Sequence, residues 1–135
     1  MTNQHHGSCL CGQVRFQLNA AFQSFFLCHC HRCQKGTGSL HAANLFAPGA
    51  ELVWLQGQDS VQVYQHDNTR HCKAFCRHCG SSLPLLAESS GFVMVPAGSL
   101  DSAVDIRPTA RIFMDDCADW GKTLNDVPGF SGLPS

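Results

Sequence analysis

The stretch Cys76-Arg77-His78-Cys79-Gly80 decides the fold of this 135-residue chain, because it has the form of a zinc knuckle. Two cysteines separated by two residues can both face one ion across a tight turn, and a glycine after the second gives the backbone room to fold back. A knuckle provides two ligands, whereas a closed structural zinc site needs four. The sequence therefore predicts a second pair of cysteine ligands elsewhere in the chain.

The economical partner for this knuckle is Cys9-Leu10-Cys11-Gly12 near the amino terminus. A shared site would tie the amino terminus to the middle of the chain and couple metal binding to folding. The alternative is that Cys9 and Cys11 are merely small buried apolar residues. The favoured prediction is one structural Zn²⁺ with four thiolate ligands, namely Cys9, Cys11, Cys76 and Cys79.

A third cluster, Cys28-His29-Cys30-His31-Arg32-Cys33, places three thiols within six residues. Three protein ligands leave the fourth position of a tetrahedral zinc open to water or substrate, which is typical of a reactive site. A thiol co-substrate would bind there as thiolate, because the ion lowers the thiol pKa. Two alternatives stay open: a closed site with His29 or His31 as fourth ligand, and a redox-active trio without metal. The favoured prediction is a catalytic Zn²⁺ on Cys28, Cys30 and Cys33.

Nine cysteines would also suit a secreted disulfide scaffold. Their odd number, their close spacing and the lack of an apolar signal segment favour metal and predict a cytoplasmic protein. Cys72 is either an extra ligand or, as we favour, a free or buried thiol. Cys117 lies in an acidic stretch and is predicted not to be a ligand. His5 and His6 are interpreted as a polar tail.

The composition, 44% hydrophobic and 14% charged, predicts a folded globular chain, and its length suits one domain over residues 1–135. The formal net charge is −1 and the basic residues are scattered along the sequence, so we predict no nucleic-acid partner and no binding to an anionic membrane. No apolar run is long enough to cross a bilayer. The oligomeric state stays open.

Short apolar runs separated by Gly and Pro predict a sheet-rich, all-β fold. Strands are predicted near residues 14–18, 52–55, 61–65, 92–95 and 112–114. Helical turns are predicted only at 30–35 and 118–124. Trp120 is interpreted as a core or rim aromatic.

These motifs resemble those of the glutathione-dependent formaldehyde-activating (Gfa-like) enzymes, a family with an Mss4-like fold. The matching stretches occur in the family's order and span nearly the whole chain: 7–12, 28–33 with Gly38, 75–80 with Leu83, 98–101, Pro108, Ile112, Trp120 and 126–128. The resemblance implies an all-β, tent-like (β-tent) domain of packed antiparallel sheets with few short helical turns. It also implies the structural zinc and the catalytic zinc described above.

The resemblance implies carbon–sulfur lyase activity of the S-(hydroxymethyl)glutathione synthase type. A small thiol such as glutathione would join an aldehyde such as formaldehyde, with His29 or His31 moving the proton. One alternative is a non-catalytic zinc-binding scaffold or interaction module, because folds of this kind also serve that role. Another is a thiol-based metal or redox buffer. An open position at the middle cluster favours the enzyme, whereas a fourth protein ligand favours the scaffold.

Overall fold

In a computed structural model that describes residues 3–87 and 89–134, the chain folds mainly into short strands. The elements are β1 Gln4–Ser8, β2 Arg15–Asn19, β3 Ser24–Cys28, α1 His31–Thr37, β4 Ala42–Pro48, β5 Glu51–Gln56, β6 Val61–Gln65, β7 Cys72–Cys76, β8 Ser82–Leu83, β9 Leu85–Ala87, β10 Phe92–Pro96 and β11 Ala110–Ile112. Turns of 3₁₀ helix occupy Gln58–Ser60, Ala97–Ser99, Met114–Asp116, Asp119–Gly121 and Leu124–Asp126. None of the helices in these two ranges is long and apolar enough to cross a membrane.

The strands form three sheets, which confirms the all-β prediction. The orders are β1-β2-β5, β11-β3-β4-β10-β9 and β6-β7-β8. Neighbouring strands are antiparallel with one exception among the described residues, the parallel pair of β11 and β3. The prediction of packed antiparallel sheets is confirmed, and the one parallel pair arises because segment 97–109 carries the chain past β4 and β3 before β11 begins.

Two apolar clusters form the core. The alternation of β2 sends Phe16 and Leu18 inward, and both are fully buried. The first cluster contains Leu18, Ala20, Phe22, Phe25, Leu45, Ala47, Val93 and Val95. The second contains Cys9, Val14, Phe16, Ala74, Cys76 and Leu83. Two cysteines of the predicted structural site therefore belong to the second core cluster.

The amino-terminal residues form an edge strand and not the predicted polar tail. His5 pairs with Leu18 across β1 and β2 and is 4% exposed. Its ring lies 4.7 Å from the ring of Phe22, and its Nδ1 lies 3.2 Å from Oγ of Ser102. A polar strand that buries a histidine carries no apolar alternation, so the sequence pattern did not reveal it.

The carboxyl-terminal region differs from expectation in two places. The predicted strand at 112–114 ends at Ile112, because Phe113 has a left-handed backbone (φ of 55°) and Met114 begins a 3₁₀ turn. Trp120 is 64% exposed and is not a core residue. Its neighbour Gly121 packs against Leu40 instead, at a distance that leaves no space for a side chain. The helical turns predicted at 118–124 are present as 3₁₀ turns.

Candidate metal centres

The predicted four-cysteine site is assembled by the fold. The sulfur atoms of Cys9, Cys11, Cys76 and Cys79 all lie within 4.8 Å of one another. Sγ of Cys11 is 3.5 Å from that of Cys9 and 3.9 Å from that of Cys76. An ion with four tetrahedral Zn–S bonds of about 2.3 Å would hold its sulfurs roughly 3.8 Å apart, whereas a disulfide needs about 2.05 Å. The quartet therefore fits one tetrahedral metal ion.

Glycine ends both cysteine turns, as the sequence pattern predicted. Gly12 and Gly80 have φ values of 79° and 78°, which lie in the left-handed region that other residues rarely adopt. Gly80 N donates to Cys76 O at 2.8 Å, which closes the knuckle. Backbone amides also point at sulfur, since His78 N lies 3.4 Å from Sγ of Cys76. Such amides stabilise thiolate charge and therefore favour metal binding.

The electrostatics around Cys79 also favour a thiolate. Its Sγ lies 3.2 Å from Oγ of Ser81, and this hydrogen bond is the main reason that the pKa of the Cys79 thiol falls to about 5. The amides near Cys11 and Ser81 act in the same direction. Because only the thiolate binds zinc, a lowered pKa reduces the competition from protons.

The three-cysteine cluster is compact because it spans a single strand-to-helix turn. Cys28 ends β3, Cys30 is the N-cap of α1, and Cys33 lies in the first turn of that helix. Cys33 N donates to Sγ of Cys30 at 3.4 Å, as an N-cap side chain is expected to accept. The three sulfurs lie within 4.8 Å of one another, so this trio could also hold a metal ion.

The three thiols differ in how readily they ionise. Burial, followed by hydrogen bonding with Cys28 and Cys30, raises the pKa of Cys33. Burial also raises the pKa of Cys28. Burial opposes ionisation of Cys30, but hydrogen bonds led by that from the Cys33 amide outweigh it and lower the pKa. Since neighbouring thiolates repel one another, a fully ionised trio needs a cation at its centre.

The two nearby histidines do not complete the trio. Within residues 3–87 and 89–134, neither His29 nor His31 joins the three sulfurs in the group that could bind metal. His29 is buried, and its Nδ1 donates to Leu27 O at 3.0 Å. His31 is exposed, and its Nε2 lies 3.5 Å from Oδ1 of Asp116. A tetrahedral ion on the trio would therefore keep its fourth position open.

A mainly apolar cavity of about 280 Å³ begins beside Cys33. Its walls come from α1, β4, β7, β8, β9 and β10, and include Phe46, Phe92 and Met94. Arg70 and Lys73 supply positive charge to the same cavity, and no carboxylate of the described residues lines it. The apolar run at Phe25–Leu27 does not contribute to this wall.

The chain matches the family described as glutathione-dependent formaldehyde-activating enzyme over residues 4–116. It belongs to that family. A Halomonas elongata protein with the provisional name glutathione-dependent formaldehyde-activating enzyme is 28% identical over 125 residues, covering 84% of this chain and 77% of its own. A crystal structure of a Rhodobacter sphaeroides protein has a TM-score of 0.62 at 22% identity, covering 78% of this chain and 98% of its own. The latter likeness supports the fold alone.

Two further cysteines of this family member lie outside both candidate metal groups. Cys72 lines the cavity beside Cys33, and Cys117 is buried with its Sγ near Ala118 O. That neither is a metal ligand stays a prediction. Sequence reasoning missed Gln34, whose Nε2 donates to His29 O at 2.7 Å and to Asp116 O at 3.0 Å. Gln34 thereby links the cysteine turn to the carboxyl-terminal region, and no local pattern signals such a contact.

Proposed function

We propose that this protein is a zinc-dependent carbon–sulfur lyase that forms and cleaves the adduct of a small thiol and an aldehyde. The single observation that carries the proposal is the open trio, which has three converging thiols, no fourth protein ligand in the described chain and an adjacent cavity. Membership in the formaldehyde-activating family supports glutathione as the thiol and formaldehyde as the aldehyde. The reaction would then be that of an S-(hydroxymethyl)glutathione synthase.

The proposed cofactors are two zinc ions, a structural one on Cys9, Cys11, Cys76 and Cys79 and a catalytic one on Cys28, Cys30 and Cys33. The sulfur distances of the quartet and the all-thiol donor sets support zinc, which prefers tetrahedral sulfur ligands. We further propose one domain over residues 1–135 and a cytoplasmic location, because a reducing compartment keeps so many thiols available for metal.

The reaction that this site would perform balances simply. A sulfur–carbon bond forms and the π bond of the carbonyl breaks, which leaves a C–O single bond. The thiol proton passes to the carbonyl oxygen. Zinc at the trio would supply a Lewis acid and lower the pKa of a thiol bound at the open position. The chain itself would hold the reactants together, because the mainly apolar cavity next to Cys33 offers a place for them beside the trio.

His31 is the better placed of the two histidines for proton transfer. It is exposed at the start of α1, and its Nε2 lies 3.5 Å from Oδ1 of Asp116, a contact that orients the ring. His29 is buried, and its Nδ1 hydrogen bond to Leu27 O fixes its ring. We therefore assign the proton shuttle to His31 and a positioning role to His29.

The test measures, by exchange NMR, how fast formaldehyde and glutathione interconvert with their adduct in the presence of the zinc-loaded protein. Cys30→Ser should reduce the catalysed rate to the uncatalysed one while the protein stays folded. The matched control is Cys117→Ser, which removes a buried thiol outside both metal groups and should retain catalysis. Full activity of Cys30→Ser would rule out the proposed catalytic site.

A further inference from the structure

A second cleft, the basic groove, lies between α1 and the hairpin of β6 and β7. It has a volume of about 360 Å³. Helix α1 contributes Arg32 and Lys35, and the hairpin contributes Tyr64, His66, His71 and Lys73. No acidic residue of the described chain lines this groove.

The positive charge of the basic groove is not neutralised within the protein. The ion pairs of residues 3–87 and 89–134 are His31 with Asp116 and Lys122 with Asp119. Arg32, Lys35 and Lys73 thus have no carboxylate partner there. Burial is the main cause that lowers the pKa of His71. The positive charges of Arg32, His66 and Lys73 lower this pKa further. A protein of net charge −1 therefore concentrates unpaired cations at one place.

The basic groove adjoins the cavity that begins at Cys33. Gly36, His71 and Lys73 line both spaces. Lys73 Nζ donates to Gly36 O, which fixes the end of that side chain at the boundary. A Cβ atom at Gly36 would lie 3.8 Å from Nε2 of His71, so helix and hairpin are in contact there. Cys33 lines the cavity, and Arg32, the preceding residue of α1, lines the groove, so one elongated molecule could contact both the cysteine trio and the cations.

We infer that the basic groove binds the carboxylate groups of the thiol substrate, with Arg32 and Lys35 as the anchoring cations. The inference rests on the proposed function, because the thiol end of the same molecule would occupy the trio. Arginine suits this role, since its planar guanidinium binds a carboxylate through two parallel hydrogen bonds. The groove would make the protein selective for anionic thiols over neutral thiols of similar reactivity.

The first test measures binding without chemistry. S-methylglutathione keeps both carboxylates but has no free thiol, and it is titrated calorimetrically into the zinc-loaded full chain. The double variant Arg32→Gln, Lys35→Gln should weaken binding roughly tenfold or more. The double variant Arg107→Gln, Lys122→Gln removes the same charge elsewhere and should bind as the wild type does. All four side chains are exposed, so the fold should survive each change.

Salt should weaken wild-type binding, because the interaction is electrostatic. No binding of S-methylglutathione to the wild type, or equal affinity in the two double variants, would overturn the inference. Glyoxylate is an aldehyde that carries a carboxylate. If it bound to the groove and S-methylglutathione did not, the inference would also be overturned, because the groove would then bind the aldehyde substrate and not the thiol.

A second readout separates this inference from the proposed function. With 2-mercaptoethanol, which is neutral, the groove variant should turn over formaldehyde at the wild-type rate, whereas its KM for glutathione should rise about tenfold or more. An equal loss with both thiols would overturn the groove as a selectivity site. If no variant showed thiol-dependent turnover but the S-methylglutathione difference persisted, the proposed reaction would fail while the carboxylate site stood.

Discussion

The two cysteine clusters differ in the length of chain that they connect. In the quartet, Cys11 and Cys76 are 65 residues apart in sequence and bring two sheets together. In the trio, Cys30 and Cys33 are three residues apart and belong to one turn. An ion that closes a long loop stabilises the fold, whereas an ion on a local turn adds little to it. The comparison separates a metal site suited to stability from one suited to chemistry.

Membership of the hydrophobic core follows the same division. Cys9 and Cys76 belong to a core cluster with Phe16 and Leu83, so the quartet and the core depend on each other. The trio instead lies between a strand end and a cavity. Ligand number matches these surroundings, because four protein sulfurs leave no position for substrate and three leave one.

The largest effect is expected from Cys76→Ser. Cys76 is fully buried, and its loss removes both a quartet ligand and a core residue. We expect the free energy of unfolding to fall by at least about 4 kcal/mol, since structural zinc contributes much of the stability of small metal-binding domains. Urea denaturation with the zinc-loaded protein measures this change. A loss no greater than that of Cys117→Ser would contradict a structural role for the quartet.

A smaller stability effect is expected from Cys30→Ser. Its site closes no long loop, and serine can keep the N-cap hydrogen bond from Cys33 N, so we expect a decrease of only roughly 1–2 kcal/mol, caused by weaker zinc binding at the trio. Denaturation midpoints of Cys30→Ser and Cys76→Ser, compared at equal zinc concentration, provide the contrast. Equal destabilisation by the two variants would remove the distinction between the clusters.

A comparable or smaller effect is expected from Gln34→Met, which keeps the side-chain volume but loses the donor to His29 O and Asp116 O. We expect a stability loss of about 1–2 kcal/mol, because two partly buried carbonyls lose this hydrogen-bond donor. Zinc affinity should fall at the trio and stay constant at the quartet. Competition with a chromophoric chelator measures both affinities. Weakening at the quartet alone would show that Gln34 does not position the reactive turn.

The smallest effect concerns His41, whose ring lies 5.0 Å from that of His29 beside the trio. Burial, and then the charge of His29, lowers the pKa of His41 in the folded state. Below the ordinary value of about 6.5, the unfolded chain therefore binds a proton that the folded chain excludes, and stability falls. His41→Asn should lose less stability than the wild type between about pH 7.5 and pH 5.5. Parallel pH slopes would contradict a lowered pKa of His41 in the folded state.

The sequence predicted the cysteine groups better than it predicted the strands. Both groups follow from the spacing of their cysteines, and the quartet also from glycine at its two turns, which are local properties. The predicted strands at 52–55, 61–65 and 92–95 are present as β5, β6 and β10, whereas 14–18 begins one residue before β2. Strands β1, β3, β4, β7, β8 and β9 were missed, because segments without a clear apolar alternation form strands only through their neighbours.

The basic groove was also missed, and for a different reason. The cations appear scattered in sequence, and no block of basic residues marks the site. Folding brings Arg32 and Lys35 of α1 beside Lys73 of β7. Long-range juxtaposition of this kind has no signature in residue spacing, so only the structure showed that the charges share one surface.

The most direct test of the central claim is the zinc content per chain, measured by elemental analysis before and after treatment with a mild chelator. The account predicts two zinc ions in the wild type, one of which the chelator removes, and one resistant ion in Cys30→Ser. It also predicts that glutathione protects or perturbs only the removable ion. One zinc ion in both proteins, or two that leave together, would contradict the division into a structural site and an open site.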